Sequence, residues 1–242
     1  MAKNNDLDLE NRQDNCKDII TDSLWIINER EKKHSNFYHG NFIPQIPNQL
    51  IQRYTKKDYV LDMFISTTAI ECENLRNIIV DIQEELIERL EKLIDKIKKK
   101  FIVDSTNEKI VDKIGFLKEN KRDDLDLVLL HPPYFDIVKF SSKKEDLSNT
   151  NSIDHFLEMF KKALINSQKL LKKYLIVIGD KYQNSEWIPL FLCMQKAQEI
   201  LKLKSVIVKN MENRGKMVIW RYRALSADYY IFKHEYILIF KN

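Results

Sequence analysis

The chain has 242 residues, 44% of them hydrophobic and 31% charged, with a net charge of +4. That suits one large α/β domain with a sizeable core and leaves too little chain for two full domains. Lysine and arginine are mixed among aspartate and glutamate, so overall charge singles out no polyanionic partner and local clusters carry more information.

No apolar run approaches the roughly 18 residues of a membrane span, and no apolar leader follows Met1, so a cytoplasmic protein with no membrane partner is expected. Cys16, Cys72 and Cys193 lie far apart without ligand or CxxC spacing and read as small buried side chains in a reducing compartment.

Residues 1–14 are polar and read as a loose end. From Cys16 to Lys33, Ile19, Ile20, Leu24, Ile26 and Ile27 recur near helical spacing beside Trp25, which predicts an amphipathic helix; residues 1–36 then form a tail and helix ahead of one domain over 37–242. The segment 34–47 holds His34, His39, Pro44, Pro47 and several aromatics and reads as an extended loop. No carboxylate or thiol stands at ligand spacing from its histidines, so no metal is expected. Asn48 can cap a helix over 49–55.

Three strands ending in acids follow. Asp58–Phe64 is a short apolar strand ending at Asp62, and Thr67 or Thr68 can cap the helix through Ala69, Ile70, Cys72 and Leu75. Ile78–Ile82 ends beside Asp81, where nucleotide-binding α/β folds hold ribose hydroxyls, although acids also end strands because loops are polar. Gln83–Lys100 reads as a helix with Leu86, Ile87, Leu90, Leu93, Ile94 and Ile97 on one face and Lys96 and Lys98–Lys100 complementing its dipole. Phe101–Ser105 is the third strand, with Asp104 near its end. Together these describe a βαβαβ half over about 37–120.

The second half, about 121–242, opens on Asp126–Leu130, an apolar run that reads as a buried parallel strand stopped by two prolines. His131-Pro132-Pro133-Tyr134 is therefore a stiff loop at a strand's carboxyl end, where open α/β sheets place their chemistry. Phe135–Ser141 continues as an apolar segment with one cation, Lys139, and 141–151 lacks periodicity and reads as a mobile surface loop. Then come a helix from Ser152 carrying Phe156, Met159, Phe160, Leu164 and Leu171, a strand over 174–180, a helix over about 186–201 and strands over 205–209 and 232–240. Between the last two strands Arg214, Lys216, Trp220, Arg221, Tyr222 and Arg223 interleave cations with aromatics. That pattern suits phosphates and bases, or a decorated hairpin with its aromatics packed inward. The fold class expected is a Rossmann-like doubly wound, mostly parallel sheet with a C-terminal antiparallel hairpin.

His131-Pro132-Pro133-Tyr134 resembles the (Asp/Asn/Ser)-Pro-Pro-(Tyr/Phe/Trp) tetrad of the S-adenosylmethionine-dependent DNA amino-methyltransferases, which methylate adenine N6 or cytosine N4. The resemblance runs from about Phe37 to Asn242. It implies that His131 and the Pro132 carbonyl accept hydrogen bonds from the target amino group, that Pro133 stiffens the loop, and that Tyr134 stacks on a base flipped out of DNA. It also implies cofactor contacts at Phe42 and Pro44, at Asp62, Phe64, Ser66 and Thr67, at Asp81 and at Asp104. Lys139 and the 214–223 cluster would meet nucleic acid, in a restriction-modification or phage-type system with a restriction or specificity subunit as a further partner.

Two positions depart from the family text. His131 replaces Asp, Asn or Ser, so activity should fall as pH drops from 8 to 5 through the ordinary histidine range. Met63 replaces a proline, and Phe64–Ala69 contains none of the glycines that let backbone N–H groups approach a ligand. A non-catalytic relative binding nucleic acid or a partner subunit, and a methyltransferase for RNA or a protein glutamine, are the rival readings.

Overall fold

The computed structural model describes residues 19–28, 43–55, 59–63, 76–81, 97–102, 104–112, 114, 125–133, 135, 139, 141–179, 181–183, 186–188, 190–211, 217–227, 230–231 and 233–242. Ten strands are described: β1 Leu24–Trp25, β2 Tyr59–Asp62, β3 Arg76–Asp81, β4 Ile97–Ile102, β5 Leu125–Leu130, β6 Leu171–Gly179, β7 Lys181–Gln183, β8 Glu186–Ile188, β9 Lys202–Asn210 and β10 His234–Lys241. The helices are α1 Gln45–Tyr54, α2 Ile153–Leu170, α3 Leu190–Gln198 and α4 Met217–Ser226.

Eight strands form one sheet in the order β1-β9-β10-β6-β5-β2-β3-β4. Every neighbouring pair is parallel except those made by β10, which runs antiparallel to both β6 and β9. Helices pack on both faces. On one, Ile46, Leu50 and Ile51 of α1 join Val60, Leu127, Leu129, Ile237 and Ile239. On the other, Phe156, Phe160 and Leu164 of α2 join Leu61, Val128, Leu130, Leu238 and Phe240. Because β5 feeds alternate side chains to two buried faces, it shows no polar alternation, which is why it reads as an apolar run. The fold is a Rossmann-like, doubly wound α/β sheet, mostly parallel.

α2 matches its expected start. The Ser152 hydroxyl accepts a hydrogen bond from the His155 N–H at 3.2 Å, Asp154 lies in the first turn and Lys169 in the last. Replacing Ser152 with alanine should cost about 1 kcal/mol, read as a lower urea midpoint at unchanged slope.

Several expected boundaries move. Residues 19–28 are extended, not helical: Leu24 and Trp25 pair with Val208 and Lys209, and the Ile20 N–H and C=O are held by Gln49 Oε1 and Arg53 of α1. Burying Trp25 against β9 and β10 outweighs the helix-like spacing of the isoleucines. α1 begins at Gln45, with Pro44 at its N-cap and Pro47 in its first turn, where a missing N–H costs nothing. The expected helix end at Lys98–Lys100 is strand β4 instead. β4 stands at one end of the order of described strands, paired with β3. The helix expected over 186–201 starts only at Leu190, after strand β8 and Pro189, and the basic segment between β9 and β10 contains helix α4 rather than loop alone.

The segment 141–151 is a packed knot, not a mobile loop. Buried Asp146 accepts from the Ser141 hydroxyl at 2.7 Å and from the Ser148 N–H and hydroxyl at 2.9 and 2.7 Å. Asn149 donates to the Ser141 and Lys143 carbonyls, and a 3-10 turn spans Leu147–Asn149. Short polar side chains here satisfy one another's backbone groups, which a reading by periodicity cannot see.

Candidate functional site

The strand order reverses between β2 and β5. From that junction β3 and β4 run outward on one side and β6 on the other, and open α/β sheets in general bind ligands outside the carboxyl ends of the strands at such a switch point. Two sequence-predicted residues flank the β2/β5 junction. Asp62 ends β2, level with Leu129 of β5, and the Met63 N–H donates to the Leu129 carbonyl at 3.2 Å, joining the two strand ends. His131 follows β5 two residues beyond that level.

Asp62 is buried, as is Pro132, whereas His131 and Pro133 are partly exposed. The loop leaving β5 folds back at once, with the Phe135 N–H donating to the Pro133 carbonyl at 3.0 Å. Phe135 has φ 34°, the left-handed region that glycine normally fills, at a cost of about 1–3 kcal/mol. Edge-on packing against Phe156 of α2, with ring centroids 6.0 Å apart, holds that conformation. The strain therefore sits immediately after the tetrad.

Partial burial at the strand end lowers the His131 pKa from 6.5 to about 4 by desolvation. The imidazole is thus neutral, and an acceptor through one nitrogen, across the whole neutral range. The fall in activity expected between pH 8 and 5 is displaced to below pH 5.

Asp81 ends β3 level with Ile102 of β4, so both outer strands finish on the same edge. Asp104 begins a turn there: its carboxylate accepts from the Thr106 N–H at 2.8 Å and hydroxyl at 2.7 Å. Asn166 of α2 donates to the adjoining Ser105 carbonyl at 2.9 Å, fixing that turn to the core. Three acids on successive strands thus share one edge with His131. Carboxylates at such strand ends would suit the hydroxyl-rich, cationic S-adenosylmethionine, and Asp104 keeps acceptor capacity beyond its own turn. Pro44 lies buried at the start of α1. Phe42, Phe64, Ser66, Thr67, Tyr134, Arg214 and Lys216 lie outside the described residues. No cluster of three or more metal-ligating side chains occurs among the described residues, and none of their helices is long and apolar enough to cross a membrane.

Lys139, Arg221, Tyr222 and Arg223 are all exposed, the last three on α4 together with the backbone of Trp220. Sequence reasoning missed an ion pair between β9 and β10, the two strands on either side of this helix in the chain. Lys209 of β9 and Glu235 of β10 face each other in register as an ion pair of 3.1 Å, with side chains only 3% and 11% exposed. The Met211 N–H donates to the Lys233 carbonyl at 2.8 Å just above it. Since β9 runs parallel to β5, this pair lies on the same sheet edge as His131. The cross-strand register that pairs the two charges has no local signature in the sequence.

No family model matches the chain, and no curated protein does. Among solved structures, a TehB-like S-adenosylmethionine-dependent methyltransferase from Corynebacterium glutamicum is 12% identical, over 81% of this chain and 87% of that one, with a TM-score of 0.47. A precorrin-6y C5,15-methyltransferase from Geobacter metallireducens is 9% identical over 89% and 97%, with a TM-score of 0.49. A plantazolicin methyltransferase solved with S-adenosylhomocysteine is 11% identical over 82% and 84%, with a TM-score of 0.40. The fold assignment rests on the strand order of this chain itself.

Proposed function

We propose that this chain transfers a methyl group from S-adenosylmethionine to the exocyclic amino group of adenine or cytosine in DNA. The observation that carries the reading is the pair at the switch point: His131-Pro132-Pro133 leaving β5, and buried Asp62 ending the adjacent strand β2. When bound, the cofactor supplies an electrophilic sulfonium methyl. Asp62, Asp81 and Asp104 would hold its ribose and base side.

The chain's own chemistry concerns the amino group. That nitrogen is a poor nucleophile because its lone pair is delocalised into the base, and acceptors on its hydrogens draw it towards tetrahedral geometry. His131 accepts one hydrogen and the Pro132 carbonyl the other. With its pKa near 4, His131 is a hydrogen-bond acceptor first and a weak base second, so the proton released as the nitrogen–carbon bond forms passes on to solvent.

Calorimetry with S-adenosylmethionine on the whole chain is the test. Micromolar binding that Asp62→Ala weakens at least tenfold is expected, followed by transfer of labelled methyl groups to unmethylated DNA. The absence of glycine from Phe64–Ala69 favours a second reading, a non-catalytic subunit that keeps the fold and binds nucleic acid. A folded chain that binds DNA but no cofactor is what that reading expects.

A further inference from the structure

The described side chains of α4 are mostly exposed. Of its described side chains only Ala224 is buried, while Ile219 is 55%, Tyr222 75% and Leu225 80% exposed. A ten-residue helix is marginal unless a face is covered, and contiguous apolar surface of this kind marks a contact site. Ile219, Tyr222 and Leu225 recur every third residue, so they form one stripe. Exposed Arg221 and Arg223 flank Tyr222, and from Asn213 to Ala227 the chain carries Arg214, Lys216, Arg221 and Arg223 but no acid. A single-sign cluster interleaved with apolar and aromatic groups fits a polyanion that also offers flat apolar faces.

Paired DNA offers its charge outward and hides its base faces; unpaired strands show both. We propose that α4 binds unpaired nucleotides, with Tyr222, bordered by Ile219 and Leu225, stacking on bases while Arg221 and Arg223 hold the phosphates on either side. The inference rests on the nucleic-acid reading above and goes beyond it: it gives the helix a preference for strand that has left the duplex. Lys209 and Glu235 pair near the ends of β9 and β10 on the sheet edge that carries His131, and α4 lies in the connection between those two strands.

The experiment is anisotropy on the full chain with a fluorescent 20-nucleotide single strand and the duplex of the same sequence, between about 50 and 200 mM salt, where phosphate contacts show as a slope. Expected is at least tenfold tighter binding of the single strand. Tyr222→Ala should lose about five- to a hundredfold on the single strand and little on the duplex, and Tyr222→Phe should restore it. Arg221→Ala and Arg223→Ala should each lower the salt slope by about one on either probe. Equal or tighter binding of duplex, or a Tyr222→Ala loss equal on both probes, overturns the stacking platform while leaving the nucleic-acid reading standing. Binding to neither probe overturns both. Tyr222 is exposed, so its variants retain the fold, and the melting temperature confirms this.

Discussion

Replacing His131 with alanine is expected to cut methyl transfer to DNA by two to four orders of magnitude while leaving S-adenosylmethionine affinity within about twofold. The loss reflects a hydrogen-bond acceptor removed from the target amino group, not a damaged cofactor pocket, and calorimetry beside a labelled-methyl assay separates the two. His131→Asp should recover much of the rate, since a carboxylate offers the same acceptor.

The pH profile gives an independent reading of the same side chain. Its acceptor form is the neutral one, and burial holds the pKa near 4, so wild-type turnover should stay level from pH 8 to about 5 and fall only below that. Stability carries the opposite edge of the same shift. In the unfolded chain the imidazole takes its proton near pH 6.5, well before it does so in the folded protein. The stability it contributes is therefore complete above about 6.5 and is lost as pH falls towards 4, by at most about 3 kcal/mol because the ring is partly open to screening water. Denaturant midpoints at pH 7.5 and 4.5 should differ less in His131→Asn than in wild type; an equal difference would show that the imidazole is not shielded from water.

The second large effect concerns stability alone. Glu235→Leu should lower the melting temperature by about 10 °C, because it leaves the Lys209 ammonium inside the protein without its carboxylate, a loss of about 3–5 kcal/mol. The double variant Lys209→Met, Glu235→Leu should recover most of that loss, since an apolar pair of similar volume no longer has charges to desolvate. If the double variant is as unstable as the single one, the pair is contributing through its geometry between β9 and β10 rather than through its charges.

The sheet's middle was legible because its strands speak for themselves. β5 is buried on both faces and shows an unbroken apolar run, and Asp62, Asp81 and His131 follow or end apolar strands, so their shared edge could be read before any coordinates. The outer strands were not legible. β1 is two residues long and exists through its pairing with β9, about 180 positions away, and β4 carries three lysines that look like a helix end until its pairing with β3 is seen. Nor does a sequence disclose that Asp146 is wrapped by Ser141 and Ser148, or that Phe135 is twisted into a left-handed turn. Both depend on partners fixed only by the folded core.

The position of β10 sets an order of assembly. β2, β3, β4, β5 and β6 lie within 59–179 and adjoin one another, whereas β9 and β1 reach them only through β10. A nascent chain can therefore lay down five parallel strands and must then wait, with the edge of β6 uncovered, until residues 234–241 emerge. During that interval β6 offers open backbone groups to any extended neighbour, which makes late release of the last strand the step at which this protein is most exposed to mispairing between chains.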